Sequence, residues 1–234
     1  MNYQHRSART FLPQNLLLNA LPAKARDYAF PRLLTKPMNV GEVIFEEGAP
    51  LIHAVFPHNG VISLQARLHD GRVVEKTSIG REGFVGLNHL LGETRFPCHA
   101  EVAIAGTASW LSIEDFDTML QMDASVRETM LGYSMTVIKR LMQSVVCASV
   151  HSANQRVASW LLHAHDRTYG DSFELTQRML ANILGLRLAT ISDACSRLQD
   201  AGAIDYSRGT LRITGRRELE LQACECYQAI RVNA

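Results

Sequence analysis

The spacing of apolar residues changes along this chain, and each change marks a different kind of structure. From Pro37 to about Ile113, short runs such as Val43-Ile44-Phe45, Ala54-Val55-Phe56, Val61-Ile62-Ser63-Leu64 and Val73-Val74-Glu75 are separated by glycines, among them Gly41, Gly48, Gly60, Gly71 and Gly80. Turn signals recurring every eight to twelve residues or so predict a small all-β sandwich or barrel. A helical stretch, Asn15 to about Leu34, precedes it and packs Leu16, Leu17, Leu21, Tyr28 and Phe30. From Asp123 to about Val150 the period lengthens. Val126, Met130, Tyr133, Val137, Leu141, Ser144 and Ala148 recur at three- and four-residue steps, the spacing of a coiled-coil seam. Leu131, Met135, Ile138, Met142 and Val146 form a second stripe beside it. A helix with two apolar stripes needs two neighbours. The expectation is that one is the chain's own β-domain and the other the same helix of a second subunit, with the Val126–Ala148 seam as the dimerisation surface.

The third pattern is two short helices meeting at a glycine. Thr176 is a good N-cap, and Leu180, Ile183 and Leu184 mark one buried face. Ala181 allows a close helix crossing, and Gly185 supplies a left-handed terminus. Leu186, Ile191, Ala194, Cys195 and Leu198 give the second helix its apolar side. This pattern fits a DNA-binding helix-turn-helix, and also a plain helical hairpin. The next segment favours the former: Ala203 to Ile213 reads as two strands around a turn at Arg208-Gly209, which makes a winged helix. Arg208 stands at the wing tip, where a phosphate contact is expected. A helix from about Asn154 to Thr168 opens this unit, and one from about Arg217, carrying Leu219, Ala223, Cys226, Tyr227 and Ile230, closes it.

Composition narrows the partners only slightly. Hydrophobic residues are 47% and charged residues 20%, which suits a globular chain, and the net charge of +1 permits nucleic-acid binding without demanding it. The basic residues beyond position 150 are all arginines, suited to phosphate or guanine contacts. No run approaches the eighteen or so apolar residues of a membrane helix. The segment around His5, Arg6 and Arg9 lacks a secretory core, so no membrane partner and a cytoplasmic location are expected. Cys98, Cys147, Cys195, Cys224 and Cys226 are odd in number and widely spaced, which favours reduced thiols.

The whole order resembles the Crp/Fnr superfamily of bacterial transcription regulators. The resemblance rests on Val40-Gly-Glu-Val-Ile-Phe-Glu-Glu-Gly48, Phe56-Pro-His-Asn-Gly-Val-Ile-Ser-Leu64, Ile79-Gly-Arg-Glu-Gly83 with Gly86, Trp160-Leu-Leu162, Leu175-Thr-Gln177, Ala181, Leu184-Gly185 and Ala223-Cys-Glu-Cys-Tyr227, spread over residues 12–230. It implies an α+β chain: a cyclic-nucleotide-binding-like β-roll over residues 12–122, a dimerisation helix over 123–150, and a winged helix-turn-helix over 151–234. It further implies a homodimer on double-stranded DNA, binding an inverted repeat. RNA polymerase and an unidentified small-molecule effector are further candidate partners.

Departures from the family pattern limit the carry-over. Members that bind cyclic AMP use a Gly-Glu pair and a later arginine, whereas Gly86 is followed by Leu87 and the later position falls near Pro97-Cys98-His99. A buried phosphate without arginine is costly, so cyclic AMP is not expected, and Gly86, Leu87, Cys98 and His99 are candidates for a different effector pocket. No cysteine precedes Cys98, which excludes the family's iron–sulfur chemistry, and the scattered His53, His58, His69, His89 and His99 do not indicate haem. Where the best-known recognition helix carries Arg, Glu and Arg, this chain has Leu188, Ala189 and Asp193. Arg187, Thr190, Ser192 and Arg197, with Thr176, Gln177 and Arg178 on the first helix, remain as DNA contacts. The alternative is a sensor or partner-binding protein of the same fold whose base reading has degenerated.

No enzyme is expected, because no nucleophile–base–oxyanion set or phosphate-binding glycine loop appears. No cofactor or metal is expected either. Cys224 and Cys226, two apart on one helix, point to opposite sides and cannot share an ion, and His163 and His165 fail for the same reason.

Overall fold

A computed structural model describes residues 13–231. His5, Arg6 and Arg9, and the extreme ends of the two outer domains as expected from sequence, lie outside the described residues.

The N-terminal stretch is two helices rather than one. α1 (Leu16–Ala20) and α2 (Ala23–Ala29) are divided at Leu21-Pro22, because proline has no N–H to continue the ladder. Asn15 caps α1 by accepting from Leu18 N at 2.9 Å. Its buried side-chain amide also donates to Pro57 O at 2.8 Å and Gly83 O at 2.7 Å, fastening the helix to the β-domain.

Five antiparallel strands follow: β1 (Leu34–Met38), β2 (Val43–Phe45), β3 (His53–Arg67), β4 (Val73–Ile79) and, after the single-turn helix α3 (Leu87–Leu90), β5 (His99–Ser112). Their order is β1-β5-β3-β4, with β2 also on β5. Where sequence suggests separate strands at Ala54–Phe56 and Val61–Leu64, one strand runs through, with its register shifting on either side of Asn59. Gly60, at φ +84, lets the strand bend without ending; a Cβ there would lie 2.7 Å from Ile104 O. Asn59 Oδ1 accepts from Thr107 N and Oγ1 at 2.7 and 2.8 Å and fixes the bulge. Strand alternation separates two cores. Val55 joins Ile62, Phe96, Cys98 and Trp110, while Ala54 and Phe56 join Leu17, Phe84, Phe116 and Met119 under the helices.

α4 (Ile113–Met122) leads through the N-cap Asp123 into α5 (Ala124–Val150), whose 27 residues span about 40 Å. The expected dimerisation seam divides along α5: Leu141, Ser144 and Ala148 are exposed, whereas its first half faces the chain's own β-domain. Val126, Met130 and Tyr133 are fully or nearly buried against Phe84 and Phe116, and Val137 packs on the same cluster. The reason is geometric: this stripe is the one that meets the aromatic layer of the β-domain, with Phe84 and Tyr133 ring centroids 5.7 Å apart.

The C-terminal unit comprises α6 (Ala153–His165), β6 (Ser172–Glu174), α7 (Gln177–Leu184), α8 (Leu188–Asp200), β7 (Ile204–Ser207), β8 (Thr210–Ile213), α9 (Arg216–Gln222) and α10 (Cys226–Ala229). A capping box of Ser152 and Gln155 starts α6. The wing has three strands in the order β6-β8-β7. The closing helix is broken in two. Ala223 is extended (φ −78°, ψ 159°), and Cys224 N donates to Ser159 Oγ at 3.2 Å instead of continuing the ladder. Cys224 and Cys226 are therefore not two apart on one helix, and both are buried, at 4% and 3% exposure. The expectation that they diverge is thereby overturned.

The two units share apolar contacts: Val61, Ala103 and Ile104 of the β-domain belong to one cluster with Leu161, Phe173 and Leu211. A buried ion triad sits at the same junction. Glu82 Oε1 lies 2.7 Å from Arg140 Nη1 on α5 and 2.6 Å from Arg167 Nη2 after α6.

Candidate nucleic-acid interface

Local chemistry shapes the helix pair. Thr176 Oγ1 accepts from Met179 N at 3.1 Å, and Gln177 N donates to the Tyr206 hydroxyl at 3.1 Å, seating the start of α7 on the wing. Leu180, Ala181 and Ile183 are buried. Gly185 ends α7 in the left-handed region (φ 63°, ψ 35°), and Leu186 N returns to Ala181 O at 3.0 Å. A side chain at Gly185 would touch Val74 at 3.4 Å, so the turn rests against β4.

α8 buries Ile191, Ala194, Cys195 and Leu198 and turns the rest outward. Arg187, Leu188, Ala189, Ser192, Asp193 and Arg197 are exposed and Thr190 is half-buried. Arg187 occupies the N-cap position without a side-chain cap, at the positive end of the helix dipole. Asp193 Oδ2 pairs with Arg197 Nη2 at 3.0 Å, one turn apart, which offsets the acid on this face.

The wing turn brings a second cation near the first helix. Arg208 (φ 50°) and Gly209 (φ 82°) make a tight reversal, and Arg208 is exposed. Gly209 O accepts from Leu175 N at 2.9 Å, which sets Arg208 beside Thr176 and Gln177. Arg178 is exposed on α7.

The four candidate effector residues have different surroundings. Leu87 packs with the helix-side core, whereas Cys98 belongs to the core inside the strands. His99 is buried and engaged: Nδ1 lies 2.8 Å from Glu46, and Nε2 lies 2.8 Å from Arg67 and 3.2 Å from Glu101. Two cavities do exist. One of about 330 Å³ lies between β4, α5, α6 and α7, lined by Val74, Glu75, Gln143, Trp160 and Leu184 among others. Burial pushes the Glu75 carboxyl up, partly offset by Ser63 and by Trp160 Nε1, which donates to it at 3.1 Å. The other, of about 360 Å³, lies by β2 and is lined by Phe45, Ile52, His53 and Trp110. Of the remaining histidines, His58 bonds Ser109 at 2.7 Å, and burial lowers its pKa to about 4; His89 pairs with Asp117 at 2.6 Å, and His69 is exposed.

The second stripe expected on α5, Leu131, Met135, Ile138, Met142 and Val146, is exposed throughout. Leu131, Met135, Ile138, Met142 and Val145 are 38%, 52%, 45%, 66% and 67% exposed. Their steps of four, three, four and three residues are a heptad seam, legible in retrospect as the stripe with no aromatic partner.

Comparison with known proteins agrees with this geometry. Residues 155–221 match the family model of the Crp-like helix-turn-helix domain. Among solved structures, FixK2 from Bradyrhizobium japonicum superposes with a TM-score of 0.68 at 18% identity, covering 82% of this chain and 98% of that one. A putative transcriptional regulator of the Crp/Fnr family from Eubacterium rectale gives 0.66 at 19%, covering 88% and 97%. A transcriptional regulator of the CRP family from Thermus thermophilus, TTHB099, gives 0.67 at 16%, covering 80% and 96%. No curated protein matches significantly in sequence.

Proposed function

We propose that this chain, a Crp/Fnr-type protein by its fold and its Crp-like helix-turn-helix domain, regulates transcription by binding an inverted-repeat operator as a homodimer. The observation that carries the reading is the pair of unpartnered features on one molecule. α8 turns Arg187, Leu188, Ala189, Ser192, Asp193 and Arg197 outward from an uncapped start, and α5 exposes a heptad seam whose opposite side is already buried. Two copies joined along Leu131, Met135, Ile138, Met142 and Val145 form a two-fold, self-complementary interface. That symmetry requires paired half-sites about one DNA turn apart.

Within each half-site, Arg187, Thr190 and Ser192 are the polar base readers. Leu188 and Ala189 suit the methyl group of thymine. Thr176, Gln177, Arg178, Arg197 and Arg208 hold phosphates and set orientation. Recognition then depends more on thymine contacts and DNA shape than on bidentate guanine contacts. The β-roll senses a signal other than cyclic AMP, since Gly86 is followed by the packed Leu87 where an acidic ribose contact would be needed.

The test is selection of genomic DNA fragments by the purified full-length protein at two salt concentrations. Enrichment of a common inverted repeat supports the reading. Binding without any enriched repeat refutes it and favours a partner-binding protein of the same fold.

A further inference from the structure

The break between α9 and α10 has a chemical consequence. It turns Cys224 and Cys226 to the same side, where they meet Cys147 and His151, one turn apart at the end of α5. The four donor atoms lie within 4.8 Å of one another. Cys147 Sγ is 3.6 Å from Cys224 Sγ, and Cys226 Sγ is 3.5 Å from His151 Nδ1. A tetrahedral zinc ion, with bonds of about 2.3 Å to sulfur and 2.0–2.1 Å to nitrogen, has edges of about 3.8 Å between sulfurs and about 3.6 Å from sulfur to nitrogen. These two separations are close to those edges, and the other donor pairs lie within 4.8 Å.

The surroundings are those of a metal ligand set. His151 Nε2 lies 3.2 Å from Glu225 Oε2, so the ring nitrogen away from the sulfurs is held by a carboxylate, leaving Nδ1 as the donor. Gln143 Nε2 donates to Cys226 Sγ at 3.0 Å, and the Ser159 hydroxyl lies 3.2 Å from Cys224 Sγ. Such contacts stabilise thiolates. A redox disulfide uses two thiols and needs no third sulfur, no imidazole and no carboxylate behind it. Donors this close also surround a single ion rather than a polynuclear cluster.

We infer that Cys147, His151, Cys224 and Cys226 form a Cys3His site for one zinc ion, which joins the end of α5 to the segment closing the winged helix. With four protein ligands the site is closed, so its role is structural and not catalytic. Binding deprotonates the thiols and holds α10 on α5.

The test uses the full chain purified under reducing conditions. Elemental analysis should find one zinc per chain, and Co²⁺ in its place should give the visible d–d and thiolate charge-transfer bands of a tetrahedral sulfur site. Cys147→Ser and Cys226→Ser should each abolish stoichiometric zinc, whereas Cys98→Ala should retain it. Should either serine variant fail to fold, Glu225→Gln, which removes no ligand, should weaken zinc binding about 10- to 100-fold while preserving the cobalt spectrum. Less than a tenth of an equivalent of either metal on reduced wild-type protein would overturn the inference. So would full zinc retention in both serine variants, or a metal-free protein two hydrogens lighter from a Cys147–Cys224 disulfide.

Discussion

Replacing Glu82 by glutamine keeps the shape of the junction triad but strands two buried guanidiniums. The Glu82, Arg140 and Arg167 side chains are 5%, 8% and 6% exposed, so little solvent screens the charge left behind. Burial works to raise the Glu82 pKa, yet Arg167 and then Arg140 outweigh it and bring the carboxyl down from 4.5 to about 2. A fall of that size corresponds to about 3 kcal/mol of preference for the charged form in the folded chain. Removing one member of a buried pair typically costs about 3–5 kcal/mol, the same range. The sign follows from a folded pKa below the unfolded one. The contribution is complete above about pH 4.5 and is lost as pH falls through about 2. Urea unfolding of wild type and Glu82→Gln, followed by circular dichroism at pH 7 and pH 3, tests this. The variant should be less stable by about 3 kcal/mol at pH 7, and the gap should narrow by about 2 kcal/mol at pH 3. A gap below about 1 kcal/mol at pH 7, or one equal at both pH values, would refute the reasoning.

Met135→Asp and Met142→Asp place charges in the exposed α5 seam and should convert a dimer to a monomer in light scattering, with the helical signal unchanged; a dimer surviving both substitutions removes the seam from the interface. Arg187→Ala should weaken operator binding by about 1–3 kcal/mol and relax sequence preference at one position, read by competition gel shift. Arg208→Ala should weaken all sequences alike and flatten the salt dependence by about one unit of slope, provided the wing meets a phosphate. Gly60→Ala should destabilise by about 2 kcal/mol or more, because the methyl meets the Ile104 and Ala105 carbonyl oxygens at 2.7 and 2.8 Å in a left-handed backbone; an unaffected thermal midpoint would show that the bulge can relax.

Features decided locally were legible in the sequence. Thr176 caps α7, Gly185 ends it left-handed, and Arg208-Gly209 turns the wing, because each depends on residues within one turn. Features decided by tertiary contact were not. Both stripes of α5 carry the same periodicity, and only the position of Phe84 and Phe116 determines that Val126, Met130 and Tyr133 go inward. Nothing in Ala223-Cys224-Glu225 disfavours helix strongly; the break is imposed by Ser159, sixty-five positions away, taking the Cys224 amide. The division of the effector candidates between two cores has a similar origin. Gly86 and Leu87 follow β4, Cys98 immediately precedes β5 and His99 opens it, and the sheet divides Leu87 from Cys98 between two cores.

Besides hydrogen bonds such as Trp160 Nε1 to Glu75, three contacts hold the winged helix against the rest of the chain, and they answer to different perturbations. The apolar contact of Val61, Ala103 and Ile104 with the C-terminal core is insensitive to acid and chelators. The Glu82 triad fails only in acid. The sulfur cluster at Cys147 fails on chelation or oxidation. Arg140 and Cys147 lie on the same helix as the exposed Leu131, Met135, Ile138, Met142 and Val145, so in the proposed dimer the seam and both contacts share α5. In the proposed dimer, the separation of the two α8 helices is expected to depend on both contacts. It follows that chelation at neutral pH should loosen residues 224–229 in hydrogen exchange and lower operator affinity, leaving β3 and β5 protected. Glu82→Gln should lower affinity with the cobalt spectrum intact. If chelation instead exposes the whole β-domain, the two units unfold as one, and the separation of the two contacts argued from their positions on α5 is wrong.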